Sequence, residues 1–221
     1  MFISSRIRTI GEFVNANDSV ADVGADHGLL EIYLLARHRD IKILAIENKK
    51  GPYKILENNL IAYKNITLSL SDGLTKIGKN IDTVIIAGMG GLNIKQILDE
   101  SKEKLPQIKK IIIDAHRDIA LARRIIVKYG YKIQSEKIVY EDGKYYVIIC
   151  FINNGKVKRY SRDELDFGYK LYEDKLWPEF SNYLVKKNQN IIYKIQDKRG
   201  TQDKVLKLKK INERIRNYGK D

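Results

Sequence analysis

One rhythm in this sequence narrows its folds more than any other feature. From about residue 18, short apolar runs alternate with longer stretches of helical periodicity. Residues 20–24, 41–46, 66–70, 83–87 and 111–114 read as strands. Residues 29–39, 52–63, 92–105 and 119–129 read as helices. Val84-Ile85-Ile86-Ala87-Gly88 is apolar on both faces, as expected of a parallel strand covered by helices. The last two runs, 132–140 and 145–151, differ because Glu141-Asp142-Gly143-Lys144 is too short for a crossover helix. They must form an antiparallel hairpin.

The character changes at Asn154-Gly155-Lys156, which predicts one domain over 1–153 and a second over 154–221. In the second, Leu165, Tyr169, Tyr172, Leu176, Phe180, Tyr183 and Leu184 recur at spacings of three and four, and Val205, Leu208, Ile211 and Ile215 repeat the pattern. The expectation is one long helix over 162–195, bent at Pro178, that turns at Arg199-Gly200-Thr201 and folds back as a helical hairpin or short coiled coil. Charge is uneven along the chain. The whole carries 41 basic and 28 acidic side chains, and residues 151–221 hold 18 of the former and 10 of the latter. The 29 Lys and 33 Ile against 12 Arg and 10 Val match an AT-rich codon bias, but a uniform bias does not explain the uneven placement. Basic residues at 156, 158, 159, 186, 187, 207, 209 and 210 are the candidate contacts for a polyanion.

No apolar run approaches the roughly 20 residues of a membrane span. The first residues lack the apolar core and cleavage site of a secretory signal. Cys150 is single, so neither an internal disulfide nor a cysteine-based metal site is expected. The reading is a cytoplasmic protein with no metal and no membrane partner; it leaves the oligomeric state open and favours a monomer.

The chemistry gathers at the strand ends. Asp22-Val23-Gly24-Ala25-Asp26-His27-Gly28 follows the first strand, and Gly24 and Gly28 bracket a turn where a ligand can approach the backbone. The following helix offers free N–H groups to a carboxylate. Asp22 and Asp26 disfavour a phosphate and suit a ligand with an ammonium group, and S-adenosylmethionine has both an amino-acid end and a sulfonium. Glu47, beside Asn48 at the end of the second strand, is placed to hold ribose hydroxyls. Asp72 and Gly73 end the third strand, where a carboxylate can accept from an adenine amine. Ala87-Gly88-Met89-Gly90 ends the fourth and reads as a backbone-lined floor with one apolar contact. Each acid-plus-glycine pair alone also reads as a helix cap or turn former; three in order on successive strand ends form a signal.

Together, Ala-Asp-Val-Gly-Ala-Asp-His-Gly at 21–28, Asp-Thr-Val-Ile-Ile-Ala-Gly-Met-Gly-Gly at 82–91, the closing hairpin and the basic helical tail resemble the bacterial tRNA (adenine-22-N1)-methyltransferases. The resemblance covers essentially the whole chain. It implies an α/β, Rossmann-like class I methyltransferase sheet with a C-terminal helical domain, S-adenosyl-L-methionine as cofactor, tRNA as partner, and methylation of adenosine 22 at N1. Asp26, with His27 beside it, is the candidate for stabilising the cationic product base, the simpler readings being a helix cap and a surface imidazole. No Asn-Pro-Pro-Tyr run follows the fourth strand, which weighs against methylation of an exocyclic amine. The family's fifth strand ends in Gln-Pro-Asn, whereas this chain has Asp114-Ala115-His116, so the resemblance assigns that end no role. The alternatives are a class I methyltransferase acting on another RNA base, a small molecule or a protein.

Overall fold

The structure is a computed structural model, described over residues 3–155 and 158–220. It divides into two compact units, Met1–Arg159 and Tyr160–Asp221. The division falls six residues beyond the change of character at 153. Lys156, one of the expected contacts, lies outside the described residues.

The first unit is a seven-stranded sheet of order β3-β2-β1-β4-β5-β7-β6. Its strands are β1 (Ser19–Val23), β2 (Lys42–Glu47), β3 (Ile66–Leu70), β4 (Thr83–Gly90), β5 (Lys110–Arg117), β6 (Lys132–Glu141) and β7 (Lys144–Ile152). The first five are parallel, and β7 runs antiparallel between β5 and β6. The hairpin is therefore inserted by its second strand. Strand order reverses between β1 and β4, the place where open sheets of this kind bind ligands.

A helix that the reading above did not assign, α1 (Ser5–Glu12), precedes β1. The Ser4 side chain accepts from the Ile7 amide at its start. Ile10 and Val14 then pack with Leu30 and Leu34 of α2 (Leu29–Arg37) over Val20, Ile85 and Ile112 of the sheet. The remaining helices of this unit are α3 (Lys50–Leu60), α4 (Gly91–Glu100) and α5 (Ile119–Lys128). Residues 102–107 form a separate 3-10 turn rather than prolonging α4. A buried ion pair ties α5 to β6: the Arg123 guanidinium reaches Glu136 through Nε at 3.1 Å and Nη2 at 2.6 Å.

The second unit corrects the single long helix. Its first helix, α6 (Arg162–Phe167), starts with a Ser161–Glu164 capping box and ends at Gly168, whose φ of 123° leaves the helical region. A 3-10 turn at Leu171–Glu173 follows, and α7 (Trp177–Ile195) begins with Pro178 in its first turn. Proline here starts a helix instead of bending one. The hairpin itself holds: α7 packs on α8 (Gln202–Asn217), with Asn188 donating to the buried Asn212 at 2.8 Å. Arg214 of α8 binds Asp163 and Asp166 of α6, and Trp177 is buried edge-on to Phe180 and Tyr218.

Candidate active site

The turn after β1 is built from residues in the left-handed region: Gly24 at φ 82°, Asp26 at 51° and Gly28 at 77°. The Gly24 and Ala25 amides both donate to the Ile46 carbonyl, at 2.8 and 3.0 Å, which binds this turn to the end of β2. A Cβ on Gly24 would fall 2.6 Å from Met89 Cε, so the backbone there is open only because glycine occupies it. Gly28 caps α2 and lies against Leu60, where a Cβ would meet Cγ and both Cδ carbons of that side chain within 3.0 Å.

Beyond the ends of β1, β2, β3 and β4 lies a cleft of about 480 Å³. Of the expected cofactor residues it gathers Gly24, Glu47, Asn48, Asp72, Gly73 and Met89. Glu47 is nearly buried, and its Oε1 accepts from the Asn48 and Lys49 amides at 3.0 and 2.9 Å. The second carboxyl oxygen is left for another donor. Asn48 Nδ2 reaches Asp72 at 3.3 Å, and the Ser71 amide donates to the Glu47 carbonyl at 3.0 Å, so the β2 and β3 ends are bound together. Asn93, Gln96 and Glu100 of α4 complete the wall. These three escaped the sequence reading because, as polar residues on a helix, they look like any solvated face.

Ala25, Asp26, Gly28, Ala87, Gly88 and Gly90 do not line this cleft, and neither does Asp22. Ala87 to Gly90 are the end of β4 rather than a loop: the strand bulges between Ala87 and Met89, with Gly88 at φ 74°. Asp22 is buried on the face of β1 that α2 covers, beside the fully buried Glu31. Burial pushes the Asp22 carboxyl up to about 7, and burial together with the Asp22 charge raises Glu31 well above its usual range. Two carboxylates cannot donate to each other, and the Glu31 oxygens find no donor elsewhere among the described residues. A proton held between the two acids resolves both facts.

Asp26 and His27 project from the turn, 66% and 53% exposed, with His27 Nδ1 at 2.8 Å from Asp26 Oδ1. The capping reading of Asp26 does not hold, because α2 is capped by Gly28 without a side-chain bond. Asn59 fixes the His27 carbonyl at 2.9 Å.

Comparison with known proteins agrees with this geometry. Residues 3–149 match the family model described as "Methyltransferase domain". The tRNA (adenine(22)-N(1))-methyltransferase of Bacillus subtilis (strain 168) is 31% identical over 153 residues, 66% of this chain, and the chain spans 63% of that relative's length. M. capricolum TrmK, solved with the cofactor product S-adenosyl-homocysteine, superposes with a TM-score of 0.86 at 27% identity, covering 99% of this chain and 98% of that one. Streptococcus pneumoniae Sp1610 in complex with S-adenosyl-L-methionine gives 0.81 at 27% identity, covering 98% and 99%.

Proposed function

The chain belongs to the methyltransferase-domain family, and from that premise we propose that it is a tRNA (adenine-22-N1)-methyltransferase that methylates N1 of adenosine 22 in tRNA, using S-adenosyl-L-methionine. The observation that carries the cofactor reading is Glu47. Its carboxylate is held by two backbone amides at the end of β2, with one oxygen left over, in a cleft that Gly24 at the end of β1 also lines. The residues fit the group: Glu47 for vicinal ribose hydroxyls, Asp72 and the Gly73 amide for the adenine edge, the Gly24 backbone for the amino-acid end and Met89 as an apolar flank.

When bound, S-adenosyl-L-methionine supplies a methyl group on a sulfonium, open to in-line displacement by a ring nitrogen. The protein's share is positioning, which can account for roughly 7 to 11 kcal/mol of a barrier. N1 already carries the lone pair that forms the new bond, so no base is needed to activate it. The adenine becomes cationic as the bond forms, and a fixed carboxylate near it stabilises that charge. Asp26, oriented by His27, takes this role. A base stacked or paired in folded tRNA must be turned out to reach the pocket. Lys158, Arg159, Lys186, Lys187, Lys207, Lys209 and Lys210 supply phosphate contacts that hold the RNA while one base is read.

Incubating the protein with labelled S-adenosyl-L-methionine and unmodified tRNA, then mapping the label by mass spectrometry, tests this reading. Label at N1 of adenosine 22 supports it. Cofactor binding without label in tRNA overturns it.

A further inference from the structure

The end of β5 carries a cluster that this mechanism leaves unused. Asp114 is fully buried, yet one of its oxygens does all the work: Arg6 Nε donates to Oδ2 at 3.0 Å, and His116 Nε2 stands 3.4 Å from the same atom. Oδ1 is buried with no hydrogen-bond partner among the described residues. An acceptor sealed away without a donor is costly and rare in folded proteins. Around it the side chains are ordered. The Arg6 guanidinium lies 4.5 Å from the centre of the Tyr146 ring, and His116 meets that ring edge-on at 5.4 Å. His116, 38% exposed, is the outer wall.

Position ties the cluster to the cofactor cleft. Asp114 pairs with Ala87 on β4. A Cβ on Gly88 would lie 4.0 Å from His116 Cε1, while Met89, the next residue, enters the cleft against Gly24. The bulge at Gly88 thus stands between the cofactor cleft and the Arg6–Asp114–His116 group.

We propose that this group is the subsite for the acceptor base, in which Asp114 takes a hydrogen bond from the exocyclic amine of the target adenine while His116 yields as the base enters. The proposal rests on the function proposed above and deepens it by naming the residue that distinguishes the base. An unpaired acceptor demands a donor, and adenine carries one next to N1. Guanine would offer a carbonyl oxygen there, which faces a carboxylate unfavourably. The bond also strengthens as the reaction proceeds. As the N1 lone pair forms its bond to the methyl carbon, and the carbon–sulfur pair leaves with sulfur, positive charge spreads onto the amine and toward the carboxylate.

The test compares two tRNAs that differ only at position 22, one carrying adenine and one carrying purine without the exocyclic amine. The wild-type enzyme should lose about ten-fold or more in kcat/KM on the purine substrate. Asp114→Asn should lower kcat with adenine and shrink that difference to about two-fold, with cofactor affinity unchanged. His116→Ala, an exposed change that spares the fold, lets water compete for Oδ1 and shrinks the preference in the same direction. Equal rates of the wild type on both substrates overturn the proposal, as does a full adenine preference in both variants. A wild type that binds cofactor but methylates neither tRNA defeats the proposed function itself, and this proposal with it.

Discussion

Asp22 and Glu31 crowd two acids into one dry space, and their protonation makes stability depend on pH with a definite sign. Both are raised in the folded state, so the folded chain holds more protons than the unfolded one from the ordinary carboxylate range up to about 7 for Asp22, and likewise above the usual range for Glu31. Ionisation of the pair therefore costs nothing at acid pH and erodes stability as pH rises through that window. Glu31→Gln keeps the shape, supplies a donor and abolishes one titration. It should melt with the wild type near about pH 4 and above it near about pH 8; parallel melting curves would clear the pair of this effect. Asp26→Asn should bind cofactor normally and lose most of its turnover, by about 10²-fold if its charge stabilisation is large; full activity would remove Asp26 from the chemistry. Glu47, Asp72 and Gly24 were legible in the sequence because strand ends in an alternating fold face one edge of the sheet. Glu31 was not. An acid in the first turn of a helix reads as a dipole partner, and only packing reveals that it points inward.

At the scale of elements, the parallel strands and the closing hairpin could be read directly, since apolar runs, turn length and Gly143 leave few options. The structure departs from that pattern where glycine and proline break it. Gly168 and Pro178 divide the 162–195 stretch, and the 7, 10, 14 spacing of Ile7, Ile10 and Val14 marks α1 only weakly, because the helix has eight residues and Val14 lies past its end. Two contacts between elements make quantitative expectations. Gly28→Ala forces a positive φ on alanine and drives its methyl into Leu60, so it should cost about 2–4 kcal/mol in a denaturant titration. Glu136→Ala leaves the Arg123 guanidinium buried without its acid, and should cost about 3–5 kcal/mol. Neither contact was visible beforehand, because helix-to-strand pairing depends on how α5 lies across β6.

Over the whole molecule, the division into units changes the meaning of charge. Residues 160–221 hold 15 basic and 10 acidic side chains, while residues 1–159 hold 26 and 18. The larger surplus now belongs to the first unit, although the density remains higher in the second. Arg214 is already committed to Asp163 and Asp166, so the exposed Lys207, Lys209 and Lys210 are better placed for phosphate. Replacing these three with Glu should raise the KM for tRNA by about ten-fold or more and flatten its salt dependence, with cofactor affinity unchanged; an unaltered KM would show that α8 does not touch RNA. No helix among the described residues is long and apolar enough to cross a membrane. The single tryptophan of the chain, Trp177, is buried in the aromatic cluster of the second unit. Its emission is therefore an optical reporter of that unit alone, while circular dichroism averages over both. Recording the two signals on one denaturation series separates unfolding of the helical unit from that of the sheet, without any label.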